Sequence, residues 1–263
     1  MNDSLADLRA RPHLSVSALK LLLQCPRKFK FQYIERASAD FRPVAFVFGT
    51  AWHATIGRWL TALPTVPAVS ELRDHLRDGV VVGVADDGAR VLFEDDEDEG
   101  KLVDVAMKML DTFLAKVRPP DMVLGVEVAF SIDLAHPKTG EVLPVPLIGG
   151  LDAVVLEQGR GQVWELKTAK KRYAVDQLEF DLQPTAYAKA ARVLGYQDVG
   201  LKFLVTTKGS KPDVQVEQLT RHRADEDELV EIAFGVHRAV SAGVDYCARN
   251  WWCRSCQFAS RCR

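Results

Sequence analysis

LIGGLDAVVLEQGRGQVWELKT, residues 147–168, is the stretch around which the rest of the chain takes its place. Two apolar runs flank the polar, glycine-containing loop Glu157-Gln158-Gly159-Arg160, a pattern that predicts an antiparallel β-hairpin. In the second arm Glu165 and Lys167 are two residues apart and share a face, while Trp164 and Leu166 point to the other. Pairing Leu156 with Gly161 sets Asp152 opposite Glu165; a slip of one residue would turn Asp152 to the wrong face. In that register two carboxylates and an ammonium converge. Adjacent carboxylates repel unless a cation lies between them, and a hard divalent ion suits that position. The competing reading is a salt-bridge ladder on a half-exposed sheet.

The 263 residues are 48% apolar, enough for a sizeable core in one large domain or two small ones. No run of 18 apolar residues occurs and the opening MNDSLADLRARPH lacks an apolar signal core, so neither membrane insertion nor secretion is expected, and a cytoplasmic location is. A formal charge of −2 supplies no global attraction to nucleic acid, so any such role must rest on local patches. Of five cysteines, Cys25 stands near the front and Cys247, Cys253, Cys256 and Cys262 stand at the end. In a cytosolic protein that clustering points to a metal centre more than to disulfides. Cys253-x2-Cys256 presents two thiolates to one metal and Cys262 adds a third. Cys25 and Cys247 are the candidates for a fourth, and zinc or a [4Fe–4S] cluster would be satisfied by either.

Taken in order, residues 15–34 predict a helix capped by Ser15 or Ser17 with Leu19, Leu22 and Leu23 on one face, interrupted at Cys25-Pro26. Arg27, Lys28 and Lys30 form a basic edge, either a solvated helix face or a phosphate contact. Residues 46–62 predict a second helix, carrying His53 four residues after Gly49; a lone histidine on an apolar helix is more often a core residue than a ligand. Between Pro64 and Pro120 a helix is expected near 70–78, a solvated acidic run over 94–99 and a helix over 102–117. Residues 121–134 alternate like a strand, with Glu127 among apolar neighbours. Residues 176–193 are expected to be helical at least from Pro184, bringing Gln183 and Tyr187 to one face. Strands over 201–207 and 214–219 and a helix over 225–242, ended by Gly243, complete the pattern.

Six motifs in this order resemble the PD-(D/E)XK nuclease superfamily, in particular its RecB-like branch with a four-cysteine iron–sulfur cluster, which includes small CRISPR-associated nucleases and AddB-type nuclease domains. They are LSVSALKLLLQCPRKFKFQY at the front, Gly49-x3-His53, Gly149-x2-Asp152, Glu165-Leu166-Lys167-Thr168, Gln183-x3-Tyr187 and Cys253-x2-Cys256-x5-Cys262. The resemblance implies one α/β nuclease domain over residues 1–263: a restriction-endonuclease-like core with a mixed central sheet flanked by helices, a helical insertion over 64–120 and an iron–sulfur tail over 247–263. It also implies that Cys25 joins Cys253, Cys256 and Cys262 around a structural [4Fe–4S] cluster, leaving Cys247 spare.

For the reaction, the resemblance implies a metal-dependent deoxyribonuclease acting on single-stranded DNA or duplex ends, by exonuclease or endonuclease cleavage. Asp152 and Glu165 are suited to hold Mg²⁺ or Mn²⁺, His53 could add a nitrogen ligand, and the family implies that the Leu166 carbonyl adds another. Lys167 would orient water or stabilise the phosphorane-like transition state, with Gln183 and Tyr187 positioning the substrate. Lys170, Lys171 and Arg172, with Arg27 and Lys28, are the candidate DNA-phosphate contacts; Arg249, Arg254, Arg261 and Arg263 could extend a positive rim around the cluster. Trp251 and Trp252 could stack on bases or pack over the cluster. Glu127 is expected to be structural before it is an outer carboxylate. Partners are expected to be DNA and other subunits of a repair, recombination or CRISPR adaptation complex. The alternatives are a non-catalytic DNA-end-binding or assembly subunit and a zinc-stabilised nucleic-acid-binding protein.

Overall fold

The computed structural model describes every residue except 1–2, 86–87, 89, 94–96, 197 and 263. The central hairpin pairs strands β5 (Leu147–Glu157) and β6 (Arg160–Ala169) in the expected register, with Leu156 opposite Gly161. Its loop is tighter than the sequence suggested. Glu157 and Arg160 still pair, leaving a two-residue turn in which both Gln158 (φ 52°) and Gly159 (φ 74°) are left-handed. That is the type I′ geometry, whose twist matches that of the strands it joins.

The backbone pairing between β5 and β6 stops at Ala153–Trp164. Beyond it the two strands part. On that side β5 is next joined only by the short parallel strand β1 (Leu14–Ser15) at Leu147 and Ile148, while β6 runs on beside β7 (Gly200–Thr207) in parallel to Ala169. Strand β4 (Met122–Ile132) lines the other edge of β5 and β8 (Val214–Leu219) closes the sheet against β7, both antiparallel. The result is a mixed six-stranded sheet with a cleft between β5 and β6, opening at Asp152 and Glu165.

Helices cover both faces. On one lie α2 (Val16–Gln24), α8 (Leu182–Val193) and α9 (Arg223–Ser241), packed through Leu19, Leu22, Ala190, Leu229 and Phe234 onto Leu151, Val154, Val163 and Leu201. Ser15 is the cap of α2, accepting from the Ala18 amide at 3.2 Å. Leu23 is 59% exposed and does not share the buried face of Leu19 and Leu22; that face runs instead through Val16 and Ala18. A positive φ at Gly243 ends α9, as its position beyond the last helical turn predicts.

On the other face lie α4 (Val44–Ala62), α5 (Val69–Ala85) and α6 (Glu99–Lys116). Trp52 and Trp59 both meet Phe113 edge-on, at 5.6 and 5.8 Å between ring centres, and this cluster sits against Trp164, Leu166 and Leu204. The segment expected as a helical insertion therefore closes one side of the main core. Its first helix is longer than the 70–78 expected. Asp98 caps α6 and Glu99 lies in its first turn, so the end of the acidic run is a helix start; residues 94–96 lie outside the described residues.

The front and the tail are fastened together. Cys25 is extended (φ −162°, ψ 103°) between α2 and α3 (Pro26–Phe29), at the break that Pro26 imposes. Asp245 accepts from Arg27 and, at 2.8 Å, from Lys30. Asp40 accepts from the Ser260 amide and hydroxyl, and Phe31 packs on Phe258.

Candidate active site

At the point where β5 and β6 separate, Asp152 Oδ2 accepts from the Leu166 amide at 2.8 Å, taking over a backbone donor that the sheet no longer satisfies. Its other oxygen faces His53 Nδ1 of α4 at 3.3 Å. Glu165 is 1% exposed and its Oε1 contacts Lys167 Nζ. From α8, the Gln183 side chain donates to Glu165 Oε1 at 2.8 Å and to the Tyr187 hydroxyl at 2.7 Å, and its carbonyl accepts from Lys167 at 3.0 Å. Residues that are 130 positions apart in sequence thus share one recess, from His53 to Gln183.

Glycine matters at one of the motif positions. A Cβ at Gly149 would stand 2.5 Å from the ring of Phe130, so β5 lies flat against β4 only because that side chain is absent. Gly49 has nothing within 4 Å of the same construction, so the Gly49-x3-His53 spacing owes nothing to packing at Gly49.

The electrostatics divide the two carboxylates. Burial alone would raise both. For Asp152 the hydrogen bond and charge of His53 and the Leu166 amide outweigh burial and hold its carboxyl below the ordinary aspartate range. For Glu165 burial, with the charge of Asp152 added, outweighs Lys167 and pushes the carboxyl up to about 8. His53 is opposed by burial but is raised by Asp152, and Lys167, also opposed by burial, is raised by Glu165. Burial and the nearby carboxylates raise Tyr187 well above an ordinary tyrosine.

Within the recess, Glu165 Oε2 is buried with no hydrogen bond. An orphaned carboxylate oxygen beside a second carboxylate is the donor set a hard cation takes, and the cation would return Glu165 to its ionised form. Among the described residues, however, no three His, Cys, Asp or Glu side chains are drawn close enough to hold a metal ion as they stand. Lys167 occupies the carboxylate instead.

Among the remaining expected residues, Tyr187 is buried behind Gln183, its ring edge-on to Phe130 at 6.1 Å. Leu166 is buried and contributes its amide to Asp152. Lys170, Lys171 and Arg172 are exposed just past the end of β6. Arg27 is engaged by Asp245, while Lys28, half-buried, is beside it in α3. Glu127 is exposed, left-handed (φ 51°), and lines an open groove with Arg58 and Glu71. Arg263 lies outside the described residues.

At the tail, Cys25 is buried and the Cys262 and Cys247 sulfurs are 3.4 Å apart. Burial, then Cys247 and Cys25, push the Cys262 thiol up to about 11. Thiols that oppose one another's ionisation suit a metal as countercharge. Cys253 accepts from the Asn250 amide at 3.5 Å. Trp251 is 76% exposed and meets Trp252 at 5.7 Å.

Sequence reasoning missed Tyr173. Burial raises its hydroxyl and Lys167, Asp181 and Glu165 all act on it, which sets it at the lip of the recess. It lies on neither arm of the hairpin nor in a motif, so nothing in its spacing marked it.

A family model of the PD-(D/E)XK nuclease superfamily matches residues 13–263. The chain belongs to that superfamily. Among solved structures, a protein of Eubacterium rectale designated "Putative exonuclease" is similar over 97% of this chain and 93% of its own, with 14% identity and a TM-score of 0.59. The crystal structure of SSO0001 is matched over 98% of this chain and 91% of its own, at 14% identity and a TM-score of 0.43. At 14% identity the likeness to the Eubacterium rectale protein is one of fold, and it agrees with the mixed sheet flanked by helices. No curated protein matches the chain. Among the described residues no helix is long and apolar enough to cross a membrane.

Proposed function

We propose that the protein is a divalent-metal-dependent deoxyribonuclease of the RecB-like branch, acting on single-stranded DNA or duplex ends. The observation that carries this reading is Glu165, a buried carboxyl raised to about 8 with one oxygen unpartnered, beside an ionised Asp152. Asp152, Glu165 and the Leu166 carbonyl would hold Mg²⁺ or Mn²⁺, with His53 as a nitrogen donor from the helix above. Bound there, the cation neutralises phosphoryl charge and activates water. Lys167, freed from Glu165, faces the developing charge on the transferring phosphoryl group. Gln183 fixes both Glu165 and Lys167, and Tyr187 fixes Gln183, so these two act as positioning groups. Lys170, Lys171 and Arg172 contact phosphates next to the cleaved bond.

We also propose a structural [4Fe–4S] cluster on Cys25, Cys253, Cys256 and Cys262. It would reinforce the seam already made by Arg27, Lys30, Asp245, Asp40 and Ser260, tying the first helices to the tail. Other subunits of a repair, recombination or CRISPR adaptation complex are the partners this reading proposes. The test is cleavage of labelled single- and double-stranded DNA with Mg²⁺ or Mn²⁺, each end blocked in turn. Metal-dependent cleavage by the native chain and none by Asp152→Ala supports the assignment; equal cleavage by both overturns it.

A further inference from the structure

The connection from β6 to α8, residues 170–181, begins just after the strand that carries Glu165 and Lys167. It ends at Asp181, the cap of the helix that carries Gln183. It is held at several points. The Tyr173 amide donates to Gln215 at 2.8 Å and the Gln215 side chain donates back to the Tyr173 carbonyl at 3.0 Å. Arg221 donates to the carbonyls of Leu178 and Glu179 at 2.7 and 3.0 Å. Leu178 is buried, and Asp181 is gripped by Lys20.

A strap fixed in this way could bury its apolar side chains, yet Val175 is 79% and Phe180 77% exposed. Phe180 sits one residue before Asp181 and three before Gln183. Tyr173, at the other end, is half-buried with its hydroxyl within the field of Lys167 and Glu165. Between the strand and Tyr173 stand exposed Lys171 and Arg172. Arg172 is only 3.8 Å from Asp213, whose carboxylate is taken at 2.5 Å by Lys116. The strap therefore offers cations at its start and the exposed apolar side chains of Val175 and Phe180 further on, with the exposed carboxylates of Asp176 and Glu179 between them.

A single nucleic-acid strand alternates those features, anionic phosphate and flat base. A duplex presents the phosphates but keeps its bases stacked inside, so exposed rings gain nothing from it. We propose that residues 170–181 are a stacking platform for unpaired bases beside the cleaved bond, with Phe180 and Tyr173 against bases and Lys171 and Arg172 against phosphates, and that this platform selects single-stranded over double-stranded substrate. The proposal rests on the nuclease reading above and deepens it.

The experiment is fluorescence anisotropy of the full chain with a labelled oligothymidylate and a blunt duplex of equal length, without divalent metal, alongside the cleavage assay. A stacked base contributes about 1–3 kcal/mol, so Phe180→Ala is expected to weaken single-strand binding about 5- to 150-fold and leave duplex binding unchanged. Phe180→Trp is expected to restore it. The Lys171→Ala, Arg172→Ala pair is expected to weaken both substrates and flatten the salt dependence by about 0.7 per lost single-strand phosphate contact. Equal losses on both substrates for Phe180→Ala, or none, overturn the platform while leaving the nuclease reading intact if cleavage persists. Absence of both binding and metal-dependent cleavage in the native chain overturns both.

Discussion

Replacing Glu165 by glutamine removes one ionisable proton from the most buried group of the recess, and its consequence can be worked out in sign and size. In the metal-free protein the Glu165 carboxyl sits near 8, against 4.5 in an unperturbed glutamate. The folded form therefore binds the proton more tightly than the unfolded form. Stability is full below about pH 4.5, falls as pH rises towards 8, and is flat above it. The slope is about 1.4 kcal/mol per pH unit, or on the order of 5 kcal/mol across the window. Lys167, held above its ordinary value, stays charged throughout and adds no slope. Glutamine removes the Glu165 contribution and leaves that of His53, whose raised value adds its own loss as pH rises, so chelated Glu165→Gln protein should overtake the native protein progressively as pH rises. Divalent metal reverses the order, because it needs the carboxylate. With its carboxyl raised towards 8, native Glu165 is mostly protonated at neutral pH, so metal binding is expected to release a proton and apparent affinity to rise with pH through that range. Protonated His53 steepens the dependence further at lower pH. Denaturant titrations of the chelated protein from pH 5 to 9, with calorimetry in buffers of different ionisation enthalpy, measure both quantities. Parallel stability curves for the native and Glu165→Gln proteins, or metal binding without proton release, would refute the assignment of Glu165 as a buried acid waiting for a cation.

Other consequences are sharper in outcome. Lys167→Ala is expected to lower cleavage by at least 10²-fold, with far-ultraviolet circular dichroism and iron content unchanged; near-native turnover would remove Lys167 from the reaction. Cys25→Ala is expected to lower bound iron and thermal stability together while Cys247→Ala leaves iron intact; the opposite result would make Cys247 the fourth ligand. Phe113→Ala, which empties the contact shared by Trp52 and Trp59, is expected to cost about 3–5 kcal/mol in denaturant unfolding. Gly149→Ala should destabilise by about 1–3 kcal/mol, because its new methyl enters the ring of Phe130. A loss below 0.5 kcal/mol would show that β4 yields there.

What the sequence could show follows from how local the deciding physics is. The register of β5 and β6 is set by a two-residue turn and by alternation, both confined to some twenty positions, and Leu156 does face Gly161 as those positions require. The parting of the two strands past Ala153 and Trp164 is not local. It depends on β1 claiming Leu147 and Ile148, and on β7 holding β6 to its end, partners more than 100 and more than 30 residues away respectively. Asp152 and Glu165 could therefore be named from the pattern, but not the cleft that lets one carboxylate turn to the Leu166 amide and leaves one oxygen of the other unpartnered. The same distinction covers the helices. The cap at Ser15, the break at Cys25-Pro26 and the stop at Gly243 are fixed by neighbours in sequence. The buried face of α2 is chosen by α8 and α9, and choosing it leaves Leu23 in solvent. Tyr173 is the extreme case. Its position at the lip arises from a strap pinned by Gln215 and Arg221, more than 40 residues downstream, and no spacing within the strap encodes those partners. Residues recognised by chemistry at short range were legible; those recruited by long-range pairing became visible only once the sheet had assembled.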